Sequence, residues 1–232
     1  MKIEGILIEA QFIERLNRFE AIIEINGVQE LTHIPNTGRL RELLVQGAFV
    51  LVRKFSNPSR KTQFGLMFVK QGEIWVSIDS ANIPNKIMYE ALIQKRLEMF
   101  RDYEEVKREV QMYNSRFDFG LFSEGHEYYI EVKGVTLVED RKAFFPDAPT
   151  SRGTRHLEEL SLIRQSGKGA GVVFIIQRED ADVIRPNDKM DKEFGHALRE
   201  AKKTGVDVYA YVLKIDIESK QIDIVRQVPV VL

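Results

Sequence analysis

Arg116-Phe117-Asp118-Phe119-Gly120-Leu121-Phe122-Ser123-Glu124-Gly125-His126-Glu127-Tyr128-Tyr129-Ile130-Glu131-Val132-Lys133 reads as two strands joined at Glu124-Gly125. If those two residues form a tight hairpin turn, Ser123 pairs with His126. Counting back, Asp118 then stands opposite Glu131, and Arg116 opposite Lys133. Strand alternation places Asp118, Glu131 and Lys133 on one face and Phe117, Phe119, Ile130 and Val132 on the other. Opposed side chains have Cβ atoms about 4.5–5.5 Å apart, where like charges repel. A hard divalent cation such as Mg²⁺, which takes carboxylate oxygens at about 2.0–2.1 Å, would relieve that repulsion. Lys133 would sit about 6–7 Å along the strand from Glu131, within reach of a water or a phosphate. The competing reading is a solvated ladder in which Arg116 and Lys133 balance the two acids. Glu-x-Lys by itself is weak evidence, since it recurs at Glu105–Lys107 and Glu218–Lys220.

Working outward, Val106–Tyr113 is expected to be a strand before the hairpin, and Asn85 to cap a helix from Lys86 to Asp102. Downstream, the proline-broken run Phe144-Phe145-Pro146-Asp147-Ala148-Pro149-Thr150 leads into a helix from Thr150 to Gln165. On that helix Arg152, His156 and Glu159 share a face at i, i+4, i+7 spacing, with Arg155 adjacent. They form either a phosphate-contacting face or an ordinary surface with an Arg155–Glu159 pair. A strand at Gly171–Ile176, a helix at Asp188–Thr204, a strand at Val206–Ile215 and an edge at Ile222–Val225 complete an α/β domain with a mixed sheet.

The amino-terminal part has a different character. Ile6, Ile8 and Ala10 alternate with polar neighbours, and Phe19–Ile25 ends at Asn26-Gly27, a strong hairpin signal. Leu31–Ile34, Ala48–Phe55, Phe64–Val69 and Ile74–Ile78 are further strands, with a short helix expected at Arg39–Leu44. Many short strands with one helical insert suggest a small OB-like barrel, with a half-open sheet as the alternative. The turn-rich Ala81-Asn82-Ile83-Pro84-Asn85 marks the boundary. The expected division is an OB-like β domain over residues 1–81 and an α/β domain over 82–232.

The 232 residues carry 34 Lys and Arg against 35 Asp and Glu, for a net charge of -1. That balance opposes coating of nucleic acid by bulk positive charge but leaves room for a local basic groove. Candidate groove residues are Arg18, Arg39, Arg41, Arg53, Lys54, Arg60 and Lys61, with Arg152, Arg155 and His156 from the second domain. Phe49, Phe55, Phe64 and Trp75 are candidate stacking platforms, although core packing is the ordinary role of such aromatics. The absence of cysteine removes thiolate sites, and none of the four histidines has a partner at zinc-ligand spacing. No phosphate-binding glycine loop and no nucleophile elbow is present. With neither a signal peptide nor a membrane-spanning run evident, a cytoplasmic protein is expected.

The sequence resembles the sugar fermentation stimulation protein A family over nearly its whole length. The resemblance rests on Arg15-Leu16-Asn17-Arg18-Phe19, His33-Ile34-Pro35-Asn36-Thr37-Gly38-Arg39-Leu40, Ser115–Phe119, Glu131–Leu137, Phe145–Ala148, Thr150, Arg152-Gly153, His156-Leu157, Glu159-Leu160 and Gln177-Arg178. It implies an OB-like domain followed by a domain similar to the PD-(D/E)XK nucleases, and DNA binding with a link to sugar fermentation genes. By that resemblance Asp118 is the metal-binding Asp, Glu131 the second acid, Lys133 the lysine, and Glu90 the auxiliary acid. Phe117 stands where that motif has Pro. The expected activity is Mg²⁺- or Mn²⁺-dependent cleavage of single-stranded or duplex DNA by a monomer or homodimer. The alternative is a non-catalytic DNA-binding regulator.

Overall fold

The computed structural model describes residues 1–232. Its amino-terminal sheet contains β1 (Leu7–Arg15), β2 (Glu20–Ile25), β3 (Val28–His33), β4 (Phe49–Lys54), β5 (Phe64–Gln71) and β6 (Ile74–Ser77). The strand order is β3-β2-β1-β4-β5-β6, and a parallel pairing of β3 with β5 closes the first five strands into a barrel. This is the connectivity of an OB barrel. Asn26 and Gly27 both take positive φ, and so turn β2 into β3 with the twist a two-residue hairpin needs. Alternate residues point inward, and Ala10, Phe12, Ala21, Ile23, Val50, Val52 and Leu66 pack the interior.

The short helix expected at Arg39–Leu44 is not formed. Leu40 instead has a positive φ, and a single turn follows, in which the amides of Leu43 and Leu44 reach back to the Leu40 carbonyl. Arg15 explains why this loop needs no helix. Its guanidinium donates to the carbonyls of Gly38 and Arg39 at 2.7 Å each, Arg18 at 2.7 Å, Asn17 at 3.1 Å and Asn36 at 3.2 Å. One planar fork thus satisfies the acceptors of two loops.

The second part begins with α1 (Ile83–Ile93), a 3-10 turn at Glu98–Phe100, and β7 (Glu105–Met112), β8 (Ser115–Ser123) and β9 (His126–Val135). Next come β10 (Val138–Glu139), β11 (Lys142–Phe145), α2 (Ser151–Gln165), β12 (Gly169–Ile176), β13 (Val183–Pro186), α3 (Lys192–Lys203), β14 (Asp207–Asp216) and β15 (Gln221–Gln227). A mixed sheet of order β15-β14-β12-β9-β8-β7 has β12 parallel to both β9 and β14. Together with its helices this is the expected α/β domain with a mixed sheet. The expected first helix is corrected at both ends, because Pro84 sits inside the first turn and the helix stops at Ile93. Asn85 is therefore a helical residue, not the cap. The α3 helix also starts later than expected, with Asp191 capping the Phe194 amide. Sequence reading missed the small sheet β10-β11-β13, whose strands have only two to four residues.

One face of the mixed sheet packs against α2 and α3 through Leu157, Leu160, Phe174, Phe194 and Leu198. The other face shares a core with α1 and with the barrel, since Leu51, Met67 and Phe68 join Ile87, Leu121, Ile130 and Val173 in one cluster. A polar seam completes the junction. Asn36 donates to the Ile78 carbonyl at 3.1 Å and to the Ser80 hydroxyl at 2.9 Å, and Gln177 donates to the same hydroxyl at 2.7 Å. Asp147 enters the barrel loop beside Gly38, where any Cβ would collide with its carboxylate. No helix is long and apolar enough to cross a membrane.

Replacing Arg15 by Met strands five carbonyls at the junction. Urea denaturation should show a lower midpoint, equivalent to a loss of about 2 kcal/mol, with a smaller loss for Arg15→Lys. An unchanged midpoint for Arg15→Met would show that water satisfies the loops equally well.

Candidate metal and active site

The hairpin register has the expected form. Gly125 has φ of +72°, and the recorded pairs run from Ser123 with His126 to Phe119 with Ile130. There the ladder stops, one step short of Asp118 and Glu131. On the other side β7 is interrupted at Glu109, the residue facing Asp118, which has φ of +53°. Asp118 is therefore released from regular pairing on both edges. The strand turns at this point, and the expected alternation fails: Phe119 packs with Ile130 on the α1 side, but Phe117 packs with Tyr129 on the α2 side. Local breaks of this kind re-aim side chains, often next to functional sites. Arg116 does not face Lys133. It pairs with Gln111 and lies 3.5 Å from Glu109 on the surface.

The carboxylate of Asp118 replaces the missing ladder acceptor, receiving the Val132 amide at 2.7 Å on Oδ2. Its Oδ1 accepts from Asn85 Nδ2 on α1, also at 2.7 Å. Glu131 is 5% exposed. Its Oε1 lies 2.6 Å from Lys133 Nζ and 2.5 Å from His156 Nδ1, while its buried Oε2 has no partner. Arg152 Nε donates to His156 Nε2 at 3.3 Å, which places the ring proton on Nδ1, in close contact with Glu131 Oε1 but without hydrogen-bond geometry. The ring of Phe117 lies against His156, with centroids 5.8 Å apart.

The two acids have been driven apart electrostatically. Burial, reinforced by the charge of Glu131, pushes Asp118 up to about 6, against the opposing pull of the Val132 amide and Lys133. Burial also acts on Glu131, but Lys133 and His156 outweigh it and hold this carboxyl below its ordinary value. One acid is thus firmly ionised, while its neighbour sits near the edge of ionisation. Such a split marks sites built to handle charge or protons.

Of the residues expected here, Asp118, Glu131 and Lys133 are brought together, and Glu90 is not. Glu90 lies on another flank of α1, 3.3 Å from the Met1 amino group and 3.7 Å from Arg96. The α1 residue that faces Asp118 is Asn85, an amide. No group of three or more Asp, Glu, His or Cys side chains is arranged to hold a metal ion. His156, expected to contact nucleic acid, is 1% exposed and braces Glu131 from behind. Arg155 is exposed and makes no ion pair with Glu159, which is buried with Oε2 unpartnered. Proximity to the hairpin could not reveal Asn85 or His156, because both arrive from helices distant in sequence.

The expected basic groove is scattered. Arg53 and Arg60 lie over the Phe55 ring, Lys54 lies over buried Phe64, and Lys61 pairs with Glu20 at 2.6 Å. Arg39 and Arg41 border a cavity beside Asn187 and Asp188. Among the expected cations, Arg18 lines the cleft that continues from β9.

Comparison with known proteins agrees with this architecture. The sugar fermentation stimulation protein RE domain matches residues 82–219, and the SfsA N-terminal OB domain matches 13–78. A sugar fermentation stimulation protein homolog of Acetivibrio thermocellus is 66% identical over 232 residues, the whole of both chains. A homolog from Clostridium botulinum (strain Loch Maree / Type A3) is 49% identical over 212 residues, covering 91% of this chain and 92% of its own. The solved structure of Pyrococcus furiosus SfsA in complex with Ca²⁺ superposes with a TM-score of 0.91 at 28% identity, covering all of both chains. This chain belongs to the sugar fermentation stimulation protein family.

Proposed function

We propose that this protein binds DNA and cleaves its phosphodiester bonds with a divalent cation, Mg²⁺ or Mn²⁺, held by Asp118 and Glu131. The observation that carries this reading is the pairing of buried Glu131 with half-buried Asp118 at a break in the β8–β9 ladder, with Glu131 Oε2 unpartnered and Lys133 adjacent. Buried polar atoms are rarely left unpaired without reason, and hard oxygen donors suit these ions. The likeness to a family member solved with Ca²⁺ supports a hard-cation site. The Val132 carbonyl and waters would complete the coordination in place of a third acid. When bound, such a cation polarises the scissile phosphate and eases loss of a proton from the attacking water.

The chain's own residues then have separable tasks. Asn85 and the Val132 amide fix the Asp118 carboxylate through both oxygens. His156, set by Arg152, lies against Glu131 Oε1 and leaves Oε2 free of protein partners. Lys133 balances the charge of the acids, and its ammonium is available to orient water or to meet charge on the phosphate. A non-catalytic DNA-binding role is the second reading, and the lack of a third acid is what favours it.

Incubating the protein with single-stranded and duplex DNA separates the two. The expected outcome is cleavage with Mg²⁺ or Mn²⁺, none with chelator, and loss on the order of 10²–10³ in rate for Glu131→Ala and Lys133→Ala. If wild type never cuts, and all three proteins bind DNA alike, the catalytic reading fails.

Asp118 also sets a pH signature. Its proton is retained in the fold up to about pH 6, whereas an ordinary aspartate releases it near 3.8. The folded state thus binds more protons between those values, so stability falls as pH rises across the window, by up to about 3 kcal/mol. In chelator, Asp118→Asn should flatten that fall, matching or exceeding wild type in urea midpoint at pH 7.5. Calorimetric titration with Mn²⁺ should show binding by wild type that weakens below about pH 6, and none by Asp118→Asn. A variant that still binds Mn²⁺ would remove Asp118 from the metal site.

A further inference from the structure

Between the barrel and the mixed sheet lies a cleft of about 190 Å³. One wall is Gly134–Leu137, the continuation of β9 immediately past Lys133. The others are Arg18 and Thr37 from the barrel and the Phe144–Thr150 segment leading into α2. The volume is below the roughly 300 Å³ at which pockets for drug-sized ligands begin, a size that suits one nucleotide unit rather than a duplex.

At the rim, Arg18 is followed by Phe19, whose side chain is 47% exposed in the β1–β2 loop, one residue before β2. The Phe19 ring stacks on His33, with centroids 6.5 Å apart and planes inclined by 22°. The backbone beneath is fixed, since the Phe19 carbonyl accepts the Ile34 amide at 2.8 Å and lies 3.1 Å from His33 Nδ1. The pair sits in the β1–β2 loop and at the end of β3, the part of an OB barrel suited to oligonucleotides. Nearby acids are already engaged. Glu20 is held by Lys61 and Asn17, and Asp147 at the cleft is beside the Arg39 and Leu40 amides and Arg15. The aromatic pair Phe49–Trp75, with centroids 5.8 Å apart, does not line the cleft.

We infer that Phe19 and His33 form a base-stacking platform and Arg18 a phosphate contact for a single DNA strand, whose next nucleotide enters the cleft beside Lys133. The inference rests on the DNA-binding reading above and narrows it to single-stranded or frayed DNA. A base can stack on an aromatic ring only once it has left its own neighbours, and each such stack contributes substantially to affinity. Duplex bases are already stacked and cannot reach the platform.

The test is anisotropy with a fluorescein-labelled oligothymidylate and with a duplex of equal length, in EDTA so that no cleavage competes. Phe19→Ala should weaken single-strand binding about ten-fold, with Phe19→Trp retaining it and Phe49→Ala unchanged. Arg18→Gln should weaken binding and reduce the dependence of log affinity on log salt by about 0.7. The path is overturned if wild type does not bind the oligothymidylate, if Phe19→Ala binds like wild type, or if Phe49→Ala loses as much. Equal weakening toward duplex would overturn it as well. Because no cleavage is measured, the result stands apart from the catalytic reading. A protein that binds through Phe19 yet never cuts keeps the strand path and loses the nuclease assignment.

Discussion

Holding two carboxylates side by side, one buried and one half-buried, is the demand to which the centre of this molecule is fitted. Asp118 and Glu131 repel each other, with Glu131 buried and Asp118 half-buried. The fold meets the demand unequally. Glu131 receives two cationic or proton-bearing neighbours, Lys133 and His156, and stays ionised. Asp118 receives an amide from β9 and another from α1, and keeps a raised affinity for its proton. The interrupted ladder, the reversal of Phe117 relative to Phe119 and the placement of α1 and α2 all serve that arrangement. A continuous hairpin would have consumed the Val132 amide in backbone pairing and left Asp118 without it.

Much of this was legible in the chain because it is local. A two-residue turn at Glu124-Gly125 fixes pairing by arithmetic, and the register continues from the turn to Phe119 and Ile130. The barrel was legible for a similar reason, with strands short, alternating and punctuated by turns. The illegible parts depend on contacts between distant segments. Glu90 was an acid at a plausible helical position, yet the rotation of α1 turns it toward the amino terminus and presents Asn85 instead. The Arg39–Leu44 loop has helical composition, but Arg15 and Asp147 provide partners that no helix would offer. His156 lay on a face with polar neighbours, and only the packing of α2 on β9 shows that this face looks inward.

The cations teach a related lesson. Six basic residues between Arg39 and Lys61 look like a groove when read along the chain. In three dimensions several lie over aromatic rings or pair with Glu20, which are ordinary ways of covering apolar surface with long side chains. Arg18, which stands outside that run, is the one placed at the cleft. Position at the cleft, rather than density along the sequence, separates a cation that can guide a strand from one that only solvates a barrel.

The shared core of barrel and sheet bears on how such a protein can change over generations. Leu51, Met67 and Phe68 from one half and Ile87, Leu121 and Val173 from the other bury one another. Two recognisable modules usually suggest parts that recombination can trade. Here each module supplies part of the other's interior, so a barrel borrowed from elsewhere would arrive with the wrong underside. The two halves therefore pack as one unit, and a substitution on either side of the junction is felt on the other.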